Sequence, residues 1–304
     1  MKLAVAGHLV MDRIISVDRL PEPDTSVAVK SMTDSFGGTA GNLSIMATQL
    51  GLKTGILSFV GDDFPEGYRK ELENHNISTD AIIEIKGEKT PTSILISDRN
   101  ERQAGLFYQG AMEKMADREI PQRMIDEAGN SDILHIGTGH PEFYKRLVDR
   151  AGEKKEIIIG FEPGQEIHYI YDENSLWDML KRTSIYFTNE NEWNRTRDLL
   201  GIEREEELLA LVRVYVKTLG SRGSIIYTED RNIEIPAIPP EKEVDSTGCG
   251  DAYKGAFYAA LYAKGMELEE AGRAGAAAAS YILERKGTQV QGISWEMIER
   301  RMWV

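Results

Sequence analysis

The chain has 304 residues, 36 Lys and Arg against 50 Asp and Glu, and a formal net charge of −14. Its 41% hydrophobic and 28% charged residues are globular composition, which excludes disorder and fibrous repeats and fits one large α/β unit or two modest domains. The acidic balance repels phosphate backbones, so no nucleic-acid partner is expected, although a pocket can hold a small phosphate-bearing ligand with a local sign of its own.

The opening MKLAVAGHLVMDR has a short apolar run interrupted by Asp12 and Arg13. It is too short to span a membrane and lacks the small-residue cleavage site of a signal peptide, so it predicts a buried strand over 2–6 that ends at Gly7. Strands follow over 14–17 and 26–30, separated by the turn-forming Pro21-Glu22-Pro23-Asp24. Gly37-Gly38 opens a helix over 40–50 that Gly51 closes, and then come a strand over 54–60 and a helix over 64–74. Residues 82–85, 93–97 and 105–108 read as a second group of strands, with turns at 87–89 and 98–101.

From about residue 120 the pattern changes. Strands over 133–136, 157–161, 185–188, 213–218 and 224–228 alternate with helices such as 142–154 and 190–200. Short apolar strands alternating with helices predict a mostly parallel sheet covered on both faces. The early β-rich pieces, about 13–35 and 82–110, do not alternate in this way and are expected to form a small lid over the mouth of the core. The apolar run richest in alanine, 274–283, is a helix far short of the ~18 residues of a membrane span, so a soluble cytoplasmic protein is expected.

The most informative stretch is Asp245-Ser246-Thr247-Gly248-Cys249-Gly250-Asp251, which precedes a run of helix formers ending at Lys264-Gly265. Such a turn exposes backbone N–H groups at a helix N-terminus, where an anion can bind. Asp251 competes with an anion there unless it accepts a proton in a reaction; the alternative is a simple N-cap. In Phe36-Gly37-Gly38-Thr39-Ala40-Gly41-Asn42, three glycines in five residues allow a ligand close to the backbone, or only a tight strand-to-helix turn. Asp12 falls just past the first strand, where α/β sheets place ligands, but could equally be a surface aspartate. There is no Walker A sequence, and no G-x-G-x-x-G follows the first strand. Cys249 is the only cysteine, so no internal disulfide forms, and no Cys/His spacing resembles a zinc site.

Together these residues resemble the ribokinase-like (PfkB) carbohydrate kinases. Asp245 to Asp251 is similar to that family's C-terminal signature and Gly37 to Asn42 to its N-terminal one. Asn189-Glu190-Asn191-Glu192 resembles its N-x-x-E element, and Thr218-Leu219-Gly220-Ser221-Arg222-Gly223 its nucleotide-contacting loop. The four motifs occur in the family's order across about residues 2–290. Cys249 departs from the pattern, which has alanine there. The tracts Pro21 to Ser26, His140-Pro141-Glu142-Phe143, Glu162-Pro163-Gly164-Gln165 and Asp230 to Ile238 resemble the archaeal-type nucleoside kinases most closely.

The resemblance implies a single kinase domain over 1–304, built as a three-layer α/β/α core with a β-sheet lid. It implies transfer of the γ-phosphate of ATP to a primary alcohol, the 5′-hydroxyl of a nucleoside. Asp251 would be the base, and the N–H groups of Gly248, Cys249 and Gly250 the anion hole. Asp12, Gly38 and Asn42 would bind acceptor hydroxyls, while Asn189, Thr218, Gly220, Gly223, Gly248 and Gly250 would line the ATP site. Asn189 and Glu192 would hold Mg²⁺ mainly through water, although Glu192 taken alone is an ordinary helix residue. Asp245 and Thr247 would help to bind a monovalent cation, K⁺. The alternatives are a kinase of a free sugar or sugar phosphate (ribose, fructose 6-phosphate or ketodeoxygluconate type) and a non-catalytic metabolite-binding protein. Open edges on the lid predict a homodimer through it. A helix dipole would lower the pKa of Cys249 and burial would raise it, leaving a moderately reactive thiol or an inert buried one.

Overall fold

A computed structural model of the chain describes residues 1–100, 102–153 and 155–304. Five parallel strands with helical crossovers form the middle of a large sheet: β1 (Lys2–Ala6), β8 (Ile133–Ile136), β9 (Ile158–Phe161), β10 (Ile185–Asn189) and β11 (Val214–Thr218). On one side of β1 lie β4 (Lys53–Gly61) and β5 (Ile82–Ile85), both parallel; beyond β11 lie the antiparallel β12 (Ser224–Tyr227) and β13 (Asn232–Ile235). The order is β13-β12-β11-β10-β9-β8-β1-β4-β5.

Alternation along β1 shows how the layers form. Leu3 and Val5 belong to one buried cluster, with α1 (Thr39–Gln49), α7 (Cys249–Ala259) and α8 (Leu268–Leu283). Ala4 and Ala6 belong to the other, with α3 (Gln122–Gly129), α4 (Pro141–Gly152) and α5 (Glu173–Leu180). Successive side chains of a strand point to opposite faces, so a strand apolar at every position needs a helical layer on each side. The expected mostly parallel α/β/α core is present.

The lid is a second sheet of order β3-β2-β6-β7, made of β2 (Val10–Val17), β3 (Val29–Gly37), β6 (Thr92–Ser97) and β7 (Gln103–Tyr108). Three of its boundaries differ from expectation. The strand expected over 14–17 starts at Val10, so Asp12 lies within it. Residues 82–85 form a strand as predicted, but it pairs in parallel with β4 and belongs to the large sheet, so the second lid segment starts near 92 rather than 82. The third strand runs over 29–37, not 26–30, because the antiparallel ladder to β2, from Val10 opposite Gly37 to Val17 opposite Val29, holds a polar stretch that has no alternation of its own. The expected helix over 142–154 is Pro141–Gly152, and Lys154 lies outside the described residues. At the expected 98–101 turn, Asp98 accepts from the N–H of Asn100 at 2.9 Å, while Glu101 lies outside the described residues. α7 runs on into a π-helical turn, Ala260–Lys264, before Gly265. Among the described residues no helix is long and apolar enough to cross a membrane.

Candidate active site

Strand order reverses at β1: the chain builds outward through β4 on one side and through β8 on the other. Ligands of open α/β sheets bind beyond the C-terminal ends of the strands at such a switch point. Asp12, Thr138, Glu162, Asn189 and Thr218 all lie at or just past those ends.

The acceptor side is built from the glycine-rich segment. Gly38 has φ 96°, and a Cβ there would run into the carbonyl of His8, so only glycine closes this turn onto the end of β1. A Cβ on Gly37 would occupy the position of the Asp12 carboxylate. Burial, opposed by a hydrogen bond from Ser93 and reinforced by the charges of Asp251 and Asp245, pushes Asp12 up to about 6. Asn42 donates its amide N–H to Asp251 Oδ2 at 2.9 Å, which fixes the orientation of the amide. Its other end, Oδ1, is buried with no partner.

Asp251 is the third residue of α7 and is 8% exposed. It does not cap the helix. The N-cap is Gly248, at φ 82° and without a side-chain cap bond, and the Asp251 carboxylate is instead held by Asn42 and by Lys254 at 3.1 Å. The N-cap alternative therefore fails. The N–H of Cys249 points to Ser246 O at 3.4 Å, and the next N–H groups of this first turn have no acceptor within the helix. They lie at the positive end of α7.

The nucleotide side is a cavity of about 570 Å³ whose lining includes Asn189, Thr218, Gly220, Gly223, Cys249 and Gly250. It brings together the ends of β9, β10 and β11 and the start of α7; Gly248, which the resemblance also assigned to this site, is not among the lining residues. Glu192 is buried, not exposed, in a reciprocal capping box: Asn189 Oδ1 accepts from Glu192 N at 3.0 Å and Glu192 Oε2 from Asn189 N at 2.9 Å. Burial and the neighbouring Glu162 push Glu192 up to about 7. Asp245 accepts from Thr247 N at 2.9 Å and Gly287 N at 3.2 Å, which staples two loops. Among the described residues no cluster of three or more His, Cys, Asp or Glu could hold a metal ion.

Two residues that sequence reasoning missed connect the halves. Lys254 is 3% exposed and its ammonium contacts Asp251 and Glu162. Burial acts to lower its pKa, but the two carboxylates overcome that and hold it charged. Lys254 lies three residues beyond Asp251 on one helix, and that spacing was a usable signal; Glu162 opens a tract that resembles the nucleoside kinases, but nothing local marks it as the partner of this lysine. The thiol of Cys249 turns away from the turn, toward Ala279 O at 3.6 Å, and burial pushes it up to about 12. Of the two readings left open, these contacts favour the inert thiol, with burial and the nearby carboxylates acting against the helix dipole.

A second cavity, of about 400 Å³, lies beyond the ends of β8 and β9 and the last lid strand. Gln109, Glu113, His140, Glu166 and Tyr169 are among its lining residues, and no Lys or Arg is.

The chain is similar to known proteins along nearly its whole length. The profile described as pfkB family carbohydrate kinase matches residues 1–295. A nucleoside kinase of Methanocaldococcus jannaschii is 34% identical over 302 residues, covering 99% of this chain and 96% of the relative. One from Methanothermobacter thermautotrophicus is 39% identical, over 94% of this chain and 91% of the relative. The crystal structure of the Methanocaldococcus jannaschii nucleoside kinase, an archaeal member of the ribokinase family, superposes with a TM-score of 0.91, covering 99% of this chain and 98% of that one. The match along nearly the whole chain, on a ribokinase-like fold with its motifs gathered at the strand ends, means that this chain belongs to the pfkB family of carbohydrate kinases.

Proposed function

We propose that the chain is an ATP-dependent kinase that phosphorylates the 5′-hydroxyl of a nucleoside. The observation that carries this reading is the pair Asn42–Asp251: a buried carboxylate, oriented by an amide whose own oxygen is left without a partner, faces the acceptor side. Asn42 Oδ1 accepts from an acceptor hydroxyl, Asp12 and the backbone at Gly38 hold others, and Asp251 takes the proton of the attacking hydroxyl. The new bond forms between that oxygen and the γ-phosphorus as the bond to the β-phosphate oxygen breaks, releasing ADP. The first-turn N–H groups at Gly248, Cys249 and Gly250 receive the charge that develops on the moving oxygens.

Asn189, Thr218, Gly220 and Gly223 line the donor site. The donors near it are hard oxygens, which suits Mg²⁺, and Asn189 and Glu192, already bonded to one another, would reach it mainly through water. Bound with the nucleotide, Mg²⁺ neutralises phosphate charge. Use of ATP goes with a cytoplasmic location. The lid's outer strands, β3 and β7, are open edges bearing the exposed Met32, Leu106 and Phe107, and we take them to pair with a second copy. The sugar-phosphate alternative is disfavoured because the cavity beyond β8 and β9 contains acids and no Lys or Arg to receive a phosphate.

A coupled assay of ADP release against a panel of nucleosides and free sugars tests the reading. Asp251→Asn should lower kcat by ~10²–10⁴ with ATP KM nearly unchanged. Activity within about threefold of the parent would refute the assignment, since Asn would satisfy a purely structural role.

A further inference from the structure

The cavity beyond β8 and β9 is joined to the acceptor segment by an unbroken chain of hydrogen bonds. Thr39 Oγ1, inside the glycine-rich segment, lies 3.0 Å from Thr138 Oγ1, which lies 2.7 Å from His8 Nδ1. His8 Nε2 lies 2.6 Å from Gln109 Oε1, and Gln109 Nε2 donates to Glu166 Oε1 at 2.9 Å and to Tyr169 Oη at 3.1 Å. The roles follow from the end of the chain. The amide nitrogen of Gln109 must donate to the carboxylate, so its oxygen accepts and His8 Nε2 carries the hydrogen. Glu166 Oε2 accepts from the N–H of Gly139. His8 and Glu166 are almost fully buried, so this is a built feature and not a surface arrangement.

A count of the unused capacity shows what the cavity can take. Gln109 has spent both amide hydrogens. Each Glu166 oxygen has accepted one hydrogen and keeps a second lone pair, and Tyr169, having accepted at its oxygen, keeps its proton to donate. The network of Gln109, Glu166 and Tyr169 therefore offers two adjacent acceptors and one donor, beside apolar walls from Met112 and Ile170, with Glu113 and His140 elsewhere in the lining. We propose that this cavity receives the base of the nucleoside and selects a purine of the guanine type. Its edge presents a carbonyl oxygen, an imino N–H and an amino N–H in series, the complement of one hydroxyl donor and one carboxylate. A uracil edge presents one N–H between two carbonyl oxygens, and one of those would face the carboxylate. The volume of about 400 Å³ is within the range of small-ligand pockets. This inference rests on the nucleoside reading above.

The test compares kcat/KM for guanosine, inosine, uridine and ribose in the parent enzyme, in Glu166→Gln and in Tyr169→Phe. The parent should prefer guanosine to uridine at least about tenfold, the scale of one bidentate pair, with inosine between them because it lacks the amino group. Glu166→Gln should collapse the guanosine-to-uridine ratio at least about tenfold, because an amide offers the edge only one acceptor. Tyr169 is 62% exposed, so Tyr169→Phe should fold normally, and it should lower the same ratio about threefold or more. Uridine used as well as guanosine by the parent, or variants that slow all nucleosides by one factor, would overturn the base assignment and leave the nucleoside reading standing. Phosphorylation of ribose with no nucleoside turned over would overturn both.

Discussion

Asp12→Asn should make the protein more stable while making it a worse enzyme. Partial burial beside Asp251 and Asp245 has raised the Asp12 carboxyl from 3.8 to about 6, so near neutral pH the folded state holds an ionised group that its surroundings disfavour. The rise corresponds to ~3 kcal/mol against the charged form; Asp12 keeps some contact with solvent, and screening reduces this to ~1–2 kcal/mol. Because the folded value lies above the unfolded one, the stability is fully present below about pH 4, is lost as pH rises toward 6, and stays lost above it. Asparagine keeps the shape and removes the charge. Urea unfolding of both proteins from about pH 3.5 to 8 should give equal stabilities at the acid end, a gap that opens between about pH 4 and 6, and a constant gap of ~1–2 kcal/mol in favour of Asn beyond that. In the same variant the acceptor KM should rise far more than the ATP KM, since the hydrogen bonds lost are those to acceptor hydroxyls. A stability difference independent of pH would refute the electrostatic account, and equal effects on both KM values would mean that Asp12 acts through the fold.

Lys254→Met leaves Asp251 and Glu162 buried without their shared cation and should cost ~3–5 kcal/mol, with partial recovery on adding Glu162→Gln; chemical denaturation showing a loss under ~1 kcal/mol would contradict the network. Cys249, with its pKa pushed up to about 12, should resist iodoacetamide in the native protein at pH 7.5 and react quickly in urea, as followed by mass spectrometry; equal rates in the two states would contradict the burial argument. Light scattering at micromolar concentration should give twice the 34.1 kDa of one chain, and a monomeric mass would count against pairing through the lid.

The motifs at 37–42, 189–192, 218–223 and 245–251 were legible because each is a local solution to a local demand: glycines where the backbone must turn sharply, an acid and an amide that cap each other at the start of a helix. The alternation of short apolar strands with helices likewise announced the covered parallel sheet, since a strand buried on both faces has no polar position to show. What stayed hidden depended on pairing between distant segments. Residues 82–85 read as a strand, but a strand does not state its neighbour, and only the packing beside β4 placed it in the core sheet and not in the lid. The polar stretch at 31–36 carries no strand pattern and is extended only because β2 lies alongside it.

The site divides in the same way. Asp251 could be read as a cap or a base from its place in the sequence, and only the 2.9 Å bond from Asn42, 209 residues away along the chain, removed the first option. The environment of Cys249 stayed open in the sequence because its two determinants, a helix dipole and burial against α8, act in opposite directions and only the second depends on a remote helix. Lys254 was within reach of helical spacing, whereas Glu162, 92 residues away, was not. Sequence determined which groups could do the chemistry. Tertiary structure decided which of them share one buried field, because charge interactions and desolvation depend on distance in space and not on separation along the chain.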